Sequence, residues 1–242
     1  MHLHDFLLGL VALVSEVLGT LSGFGSSTFF VPAALFFESF HVVLALTALL
    51  HCFGNISKLA LFRSAMNWDL FLKLAIPSIL FTAIGAWLSN KVPIKAIERV
   101  LGALLVLIPL LKWTGIAKKR KISIGLGVGV VALSGFLTGL VGTGGALRGI
   151  ALSALHVQKN SFVLLSAAID LGGDLIRATI YLLQGYMDWS QWFYLPILVV
   201  GAVLGSWVGK QILKRIKQSQ FEILVSIFVF LSGLTMLIGK RD

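Results

Sequence analysis

A chain of 242 residues has length for one or two domains, yet 57% of it is hydrophobic and only 12% charged, about half the charged fraction of an average soluble domain. A mean hydropathy of +0.96 excludes a water-facing globule, because too few polar residues remain to cover its surface, and excludes disorder as well. Cys52 stands alone, which removes disulfide frameworks and thiolate metal sites. Lys and Arg number 20 against 10 Asp and Glu, a formal charge of +10. Loop cations retained on the cytoplasmic side of a membrane account for that excess, and no aromatic–basic patch points to nucleic acid.

Apolar runs recur in chain order at about 6–22, 41–62, 70–89, 97–115, 123–141, 160–183, 191–209 and 220–238. Each is near the ~20 residues a helix needs to cross a hydrocarbon core. Two shorter apolar pieces, 28–37 and 146–157, each follow a glycine cluster. The runs are too long and too weakly alternating for barrel strands, so only helices can satisfy their backbone in lipid. The expected fold is an all-α integral membrane protein, a polytopic bundle of eight long transmembrane helices plus two short or broken ones. The first run has no basic lead-in and no small-x-small cleavage site, and Glu16 interrupts it; it reads as a span, not a cleavable signal. Trp68, Trp87, Trp113, Trp189 and Trp207 fall near run ends, where they serve as headgroup anchors.

The two halves of the chain resemble each other. Gly23-Phe24-Gly25-Ser26-Ser27 aligns with Gly142-Thr143-Gly144-Gly145-Ala146, and the same offset places Gly54-Asn55-Ile56-Ser57-Lys58 on Gly173-Asp174-Leu175-Ile176-Arg177. Met66-Asn67-Trp68 then matches Met187-Asp188-Trp189, and Gly85-Ala86-Trp87 matches Gly205-Ser206-Trp207. The expected domains are a repeat over 1–115, a basic cytoplasmic linker over 116–121 carrying Lys118-Lys119-Arg120-Lys121, and a second repeat over 122–242.

Charge decides between parallel and inverted repeats. If the short pieces do not cross, Arg63, Lys73, Lys112, Lys118, Lys119, Arg120, Lys121, Lys240 and Arg241 face Lys91, Lys95, Arg99, Lys159, Lys210, Lys214, Arg215 and Lys217, nine to eight. If they cross, the Lys159 and Lys210–Lys217 group joins the linker face while Lys240 and Arg241 leave it, twelve to five. The positive-inside rule prefers the second, a five-plus-five inverted arrangement with the linker inside.

A glycine-rich break followed by a short helix bares backbone N–H groups whose dipoles favour an anion. In the first half these would come from Gly23, Gly25, Ser26 and Ser27; in the second from Gly142, Thr143, Gly144 and Gly145, with Arg148 one turn into the helix. The alternative is close helix packing, which is the reading taken for Gly125, Gly127 and Gly129. His51, Asn55 and Lys58 share one helix face, with Asp170, Asp174 and Arg177 at the equivalent positions. A charge at mid-bilayer costs at least ~2.5–3.5 kcal/mol, so these groups face a cavity or each other. Asn55, Lys58, Arg148 and Arg177 are candidate anion ligands; His51, Asp170 and Asp174 are candidate proton carriers, with Glu16 a weaker one. Two rival readings stay open: Asp174–Arg177 as a structural pair, and Lys58 reaching to the helix end near Arg63. His41, Lys159 and Asp188 read as loop residues.

These same residues carry a resemblance to the TauE/SafE family of sulfite exporters and toluene sulfonate uptake permeases. It rests on the two glycine stretches, the first leading to Val31-Pro32, and on Gly185-Tyr186-Met187-Asp188-Trp189. Ser26-Ser27 and Ala146 depart from the family's glycines, and Ala151 stands where a proline is frequent. The resemblance implies a carrier of small, often sulfur-containing anions: sulfite, thiosulfate or sulfonates.

The function expected is thus a secondary transporter in the plasma membrane that moves such an anion by alternating access, with proton coupling an option; an uncoupled anion channel is the alternative. No Gly-x4-Gly-Lys-Ser/Thr loop is present to bind ATP. No nucleophile motif supports an enzyme, and no cofactor or metal is implied. The partners are a small inorganic or organic anion, the lipid bilayer and, as an option, further copies of the chain.

Overall fold

In the computed structural model, residues 3–22, 25–62, 66–114, 122–157 and 159–213 are described, with scattered positions between 215 and 237. Among them every regular element is helical: α1 (Leu3–Ser22), short α2 (Ser27–Ala34), α3 (Phe40–Leu61), α4 (Trp68–Leu88), α5 (Ile94–Trp113), α6 (Ile124–Val141), short α7 (Gly145–Ala154), α8 (Lys159–Leu183), a 3-10 turn (Trp189–Gln191) and α9 (Tyr194–Leu213). By length and composition α3, α4, α6 and α9 are able to cross a membrane. The linker 116–121 and most of the expected run 220–238 lie outside the described residues.

Local chemistry explains the boundaries. Asn67 accepts from the Leu70 N–H at 3.0 Å to start α4, and Ser123 accepts from Leu126 at 3.3 Å to start α6, each satisfying an orphan amide of a helix N-terminus. Gly142 ends α6 in the left-handed region at φ 81°, where a side chain is strained. Two residues correct the expectation of loops: His41 is the second residue of α3 and lies 4.3 Å from the Tyr186 ring, and Lys159 opens α8.

The close helix contacts are made by small residues while large apolar side chains point outward. On α4, Leu72, Ile76, Leu80, Ile84 and Trp87 are exposed, whereas Ser78, Thr82, Gly85 and Ala86 are buried. Lipid tails gain nothing from hiding leucine, so small residues occupy the helix contacts and let backbones touch. Gly85, Gly135 and Gly139 make the α4–α6 crossing, and Gly201, Gly205 and Gly209 make the α1–α9 crossing. Gly127 packs on Leu155, but Gly125 and Gly129 have nothing within 4 Å among the described residues; the packing reading is corrected for these two.

These contacts fix helix directions. Ser78, Thr82 and Ala86 meet Gly135, Gly139 and Gly139 in ascending order, so α4 and α6 are parallel. Gly9, Leu13, Glu16 and Thr20 meet Ile197, Gly201, Gly205 and Gly209, so α1 and α9 are parallel. Gly54 with Ser206 and Leu61 with Lys210 align α3 with α9, while Ile79 with Gly172 and Ser89 with Gln184 align α4 with α8. By contrast, Asn55 meets Asp174 whereas Lys58, a turn later, shares a cavity with Val163 and Ser166, turns earlier. Helices α3 and α8 are therefore antiparallel. It follows that α1, α3 and α9 run one way and α4, α6 and α8 the other.

The α4–α6 contact supplies a test. A methyl at Gly139 would overlap the Thr82 carbonyl, whereas at Gly125 it meets open space. Gly139→Ala should cost about 1–3 kcal/mol in detergent unfolding, and Gly125→Ala should be neutral or stabilising by up to about 1 kcal/mol through helix propensity.

Candidate functional site

Both breaks fold back into the bundle. Gly25, at φ 87°, sets the chain beside Gly19 before α2 begins. Gly144 lies against the Ser134 carbonyl and Thr138 hydroxyl with no room for a Cβ, and the Ser134 hydroxyl donates to its carbonyl at 2.7 Å. The start of α2 thus meets the start of α7: Thr143 Oγ1 lies 3.3 Å from both Ser27 Oγ and Thr28 Oγ1. Ser27, at a position where the family pattern has glycine, contributes a hydroxyl to this junction. Gly23 falls outside the described residues; Gly145 is the first residue of α7.

Around the junction stand three buried ion pairs. Asp174 accepts from Arg177 Nε at 2.8 Å and from Asn55 Nδ2 at 2.8 Å. Arg148 grips Asp170 with both terminal nitrogens and donates from Nε to Ser166 Oγ at 3.0 Å. Lys58 Nζ lies 2.7 Å from Glu16 Oε1, which also accepts from Ser206 Oγ at 2.9 Å. Lys58 is only 5% exposed, so it turns inward to α1 and does not reach for the helix end. The pairing offsets a desolvation cost that would otherwise run to several kcal/mol per ion.

His51 joins α3 to both α2 and α8. Its Nε2 accepts the Ser27 N–H at 2.8 Å. The neutral ring therefore carries its proton on Nδ1, which faces Asp174 Oδ2 at 3.4 Å, a long contact that leaves Nδ1 without a hydrogen bond. Gly25 gives this ring its space, since a Cβ there would come within 3.2 Å of His51 Cε1.

Arg177 also closes the end of α6. Its Nη1 donates to the carbonyls of Thr138 (3.4 Å) and Gly142 (3.3 Å), and the Tyr181 hydroxyl donates to that of Gly139. A guanidinium at orphan C-terminal carbonyls is where the helix dipole favours a cation. Among the described residues, Arg177 Nη2 and Ser26 Oγ remain buried with no hydrogen-bond partner. Gly25, Thr20, Asn55, Lys58, Ser166 and Asp170, together with Val163 and Ala167, line a cavity with space for about one water molecule.

The profile of the sulfite exporter TauE/SafE family matches residues 7–236. The chain belongs to this family. No curated protein matches it. TauE/SafE proteins form a family of membrane transporters, which fits the apolar helices and the polar interior.

Within this TauE/SafE chain the structure gathers His51, Asn55, Asp174 and Arg177 into one contact group, and seats Lys58 and Asp170 at a small cavity that Asn55 also lines, with Arg148 bound to Asp170. Sequence reasoning did not assign Tyr181, although it extends the Asp170, Asp174, Arg177 stripe by one further turn. Glu16 as the partner of Lys58, and Ser166 as a partner of Arg148, leave no spacing signal because each lies on a different helix from the residue it meets. Asp170→Asn should lose about 3–5 kcal/mol of stability in detergent unfolding by leaving Arg148 unpaired, whereas Arg148→Met combined with Asp170→Leu should lie closer to wild type.

Proposed function

We propose that this protein is a secondary transporter that carries a small sulfur-containing oxyanion (sulfite, thiosulfate or a sulfonate) across the plasma membrane. The observation that carries the proposal is the meeting of the α2 and α7 N-termini at Ser27, Thr28 and Thr143, deep among paired charges. Helix N-termini aimed at a common point attract an anion through amide dipoles, and broken helices in matching positions of two halves are the pattern of transporter sites. Arg177, Arg148 and Lys58 supply positive charge beside it, and guanidinium groups suit oxyanion geometry. The unpartnered Arg177 Nη2 and Ser26 Oγ are donors with capacity to spare.

The halves 1–115 and 122–242 act, in this reading, as inverted repeats. Their order of elements supports it: long, short, long, long in each. So do the directions, since α1, α3 and α4 each run opposite to α6, α8 and α9 in turn. The cavity beside Asn55, Lys58 and Asp170 has space for about one water molecule among the described residues, and in this reading passage of an anion comes from one repeat tilting against the other.

Purified protein in liposomes tests the reading with sulfite, thiosulfate, methanesulfonate and acetate. Exchange of the sulfur anions and little of acetate is expected. Thr143→Val should slow that exchange about tenfold, the scale of one lost hydroxyl interaction, without lowering the unfolding temperature in detergent. Unchanged exchange would remove the junction from the path. A conductance far above turnover rates would favour the channel.

A further inference from the structure

Resting on the transport reading, we infer that His51 is a built-in stand-in for the transported anion, and that the anion takes its place at Ser27 only when His51 carries a second proton. The donor of interest is the Ser27 N–H, at the first turn of the eight-residue α2. It is an amide that would serve an anion, and it is already occupied by the lone pair of His51 Nε2 at 2.8 Å. A second observation marks the same place as unfinished: Ser26 Oγ, at the N-cap, is fully buried, makes no cap bond and has no partner.

Protonation of Nε2 reverses its role from acceptor to donor. It can then no longer face the Ser27 N–H, so the amide is freed and the imidazolium offers a new N–H to the same space. Charge balance points the same way. The ionisable groups facing His51 are Asp174 on α8 at 3.4 Å and, a turn earlier, Asp170 within electrostatic reach. Their partners Arg177 and Arg148 stand behind them. On its own helix, Lys58 is bound to Glu16 of α1, and α2 carries no ionisable residue. Each carboxylate is matched by a cation, so an entering anion is uncompensated until a proton arrives. One proton on His51 compensates one unit of the anion's charge and opens the site. The proton enters from the aqueous side that the site faces and leaves with the anion on the other. Net direction follows the combined gradients of the two.

Thiosulfate is the suitable probe because its own charge does not change near neutral pH. Its stabilisation of the full-length protein in detergent, titrated between about pH 5 and 8, should show an apparent affinity that falls as the pH rises, by about tenfold per pH unit where binding takes up one proton. In liposomes carrying a trapped pH dye, thiosulfate entry should acidify the lumen. His51→Gln keeps an acceptor for Ser27 but cannot take up the proton that frees the amide; its thiosulfate affinity should be weak and flat with pH, and both its thiosulfate entry and the lumenal acidification should be lost. Should that variant fail to fold, the wild-type titration and dye signal still decide. Affinity independent of pH, or entry without acidification, overturns this inference and leaves the transport reading standing. Absence of stabilisation by thiosulfate, sulfite and methanesulfonate at every pH contradicts the transport reading as well.

Discussion

Glu16, Lys58, Arg148, Asp170, Asp174 and Arg177 are each at most 7% exposed, in a chain whose outer faces are leucine, isoleucine, valine and tryptophan. Ions so withdrawn from water must be matched one to one, and that requirement ties α1, α3, α7 and α8 together. Glu16–Lys58 binds α1 to α3, Arg148–Asp170 binds α7 to α8, and Asp174 binds α8 to α3 through Asn55. Removing one member leaves its partner stranded in a low dielectric, a heavier penalty than the pair is worth as an attraction. The bundle therefore tolerates these ions only as pairs, and in the proposed transport reading a guest anion must arrive with its own compensating charge.

The breaks are placed where rearrangement is cheapest. Four residues of small bulk, Gly25, Gly142, Gly144 and Gly19, let the chain turn back on its preceding helix without a Cβ in the way. The short helices then begin among hydroxyls of Ser27, Thr28, Thr143, Ser134 and Thr138, which hold and release hydrogen bonds with small rearrangement. Around this adjustable centre the parallel α1–α9 and α4–α6 crossings are sealed by backbone contact at glycine. Each of these crossings joins the first long helix of one half to the fourth element of the other. Such seams beside a polar centre fit the rocking of two halves proposed above.

Much of this was legible in the chain itself because it depends on local pattern. Among the described residues, apolar run length located seven long helices to within a few residues, and paired glycine clusters located the two short ones. The i, i+4, i+7 spacing of His51, Asn55 and Lys58, and of Asp170, Asp174 and Arg177, announced a polar stripe on each central helix. What did not show is who meets whom. Arg148 with Asp170, Lys58 with Glu16, and His51 with the Ser27 amide are contacts between different elements, set by crossing geometry that no spacing encodes. The glycines of α6 illustrate the same limit: Gly127 and Gly129 look alike in sequence, yet one meets Leu155 and the other meets nothing among the described residues.

The central claim, that the junction of the α2 and α7 N-termini is the point an anion passes, is tested most directly by access to that point. A single cysteine at Thr143, in a Cys52→Ser background, is challenged with a membrane-impermeant thiol reagent applied to one face of oriented liposomes and then to the other. The account predicts reaction from either face, suppressed by thiosulfate. Reaction from one face alone, or from neither, would contradict it.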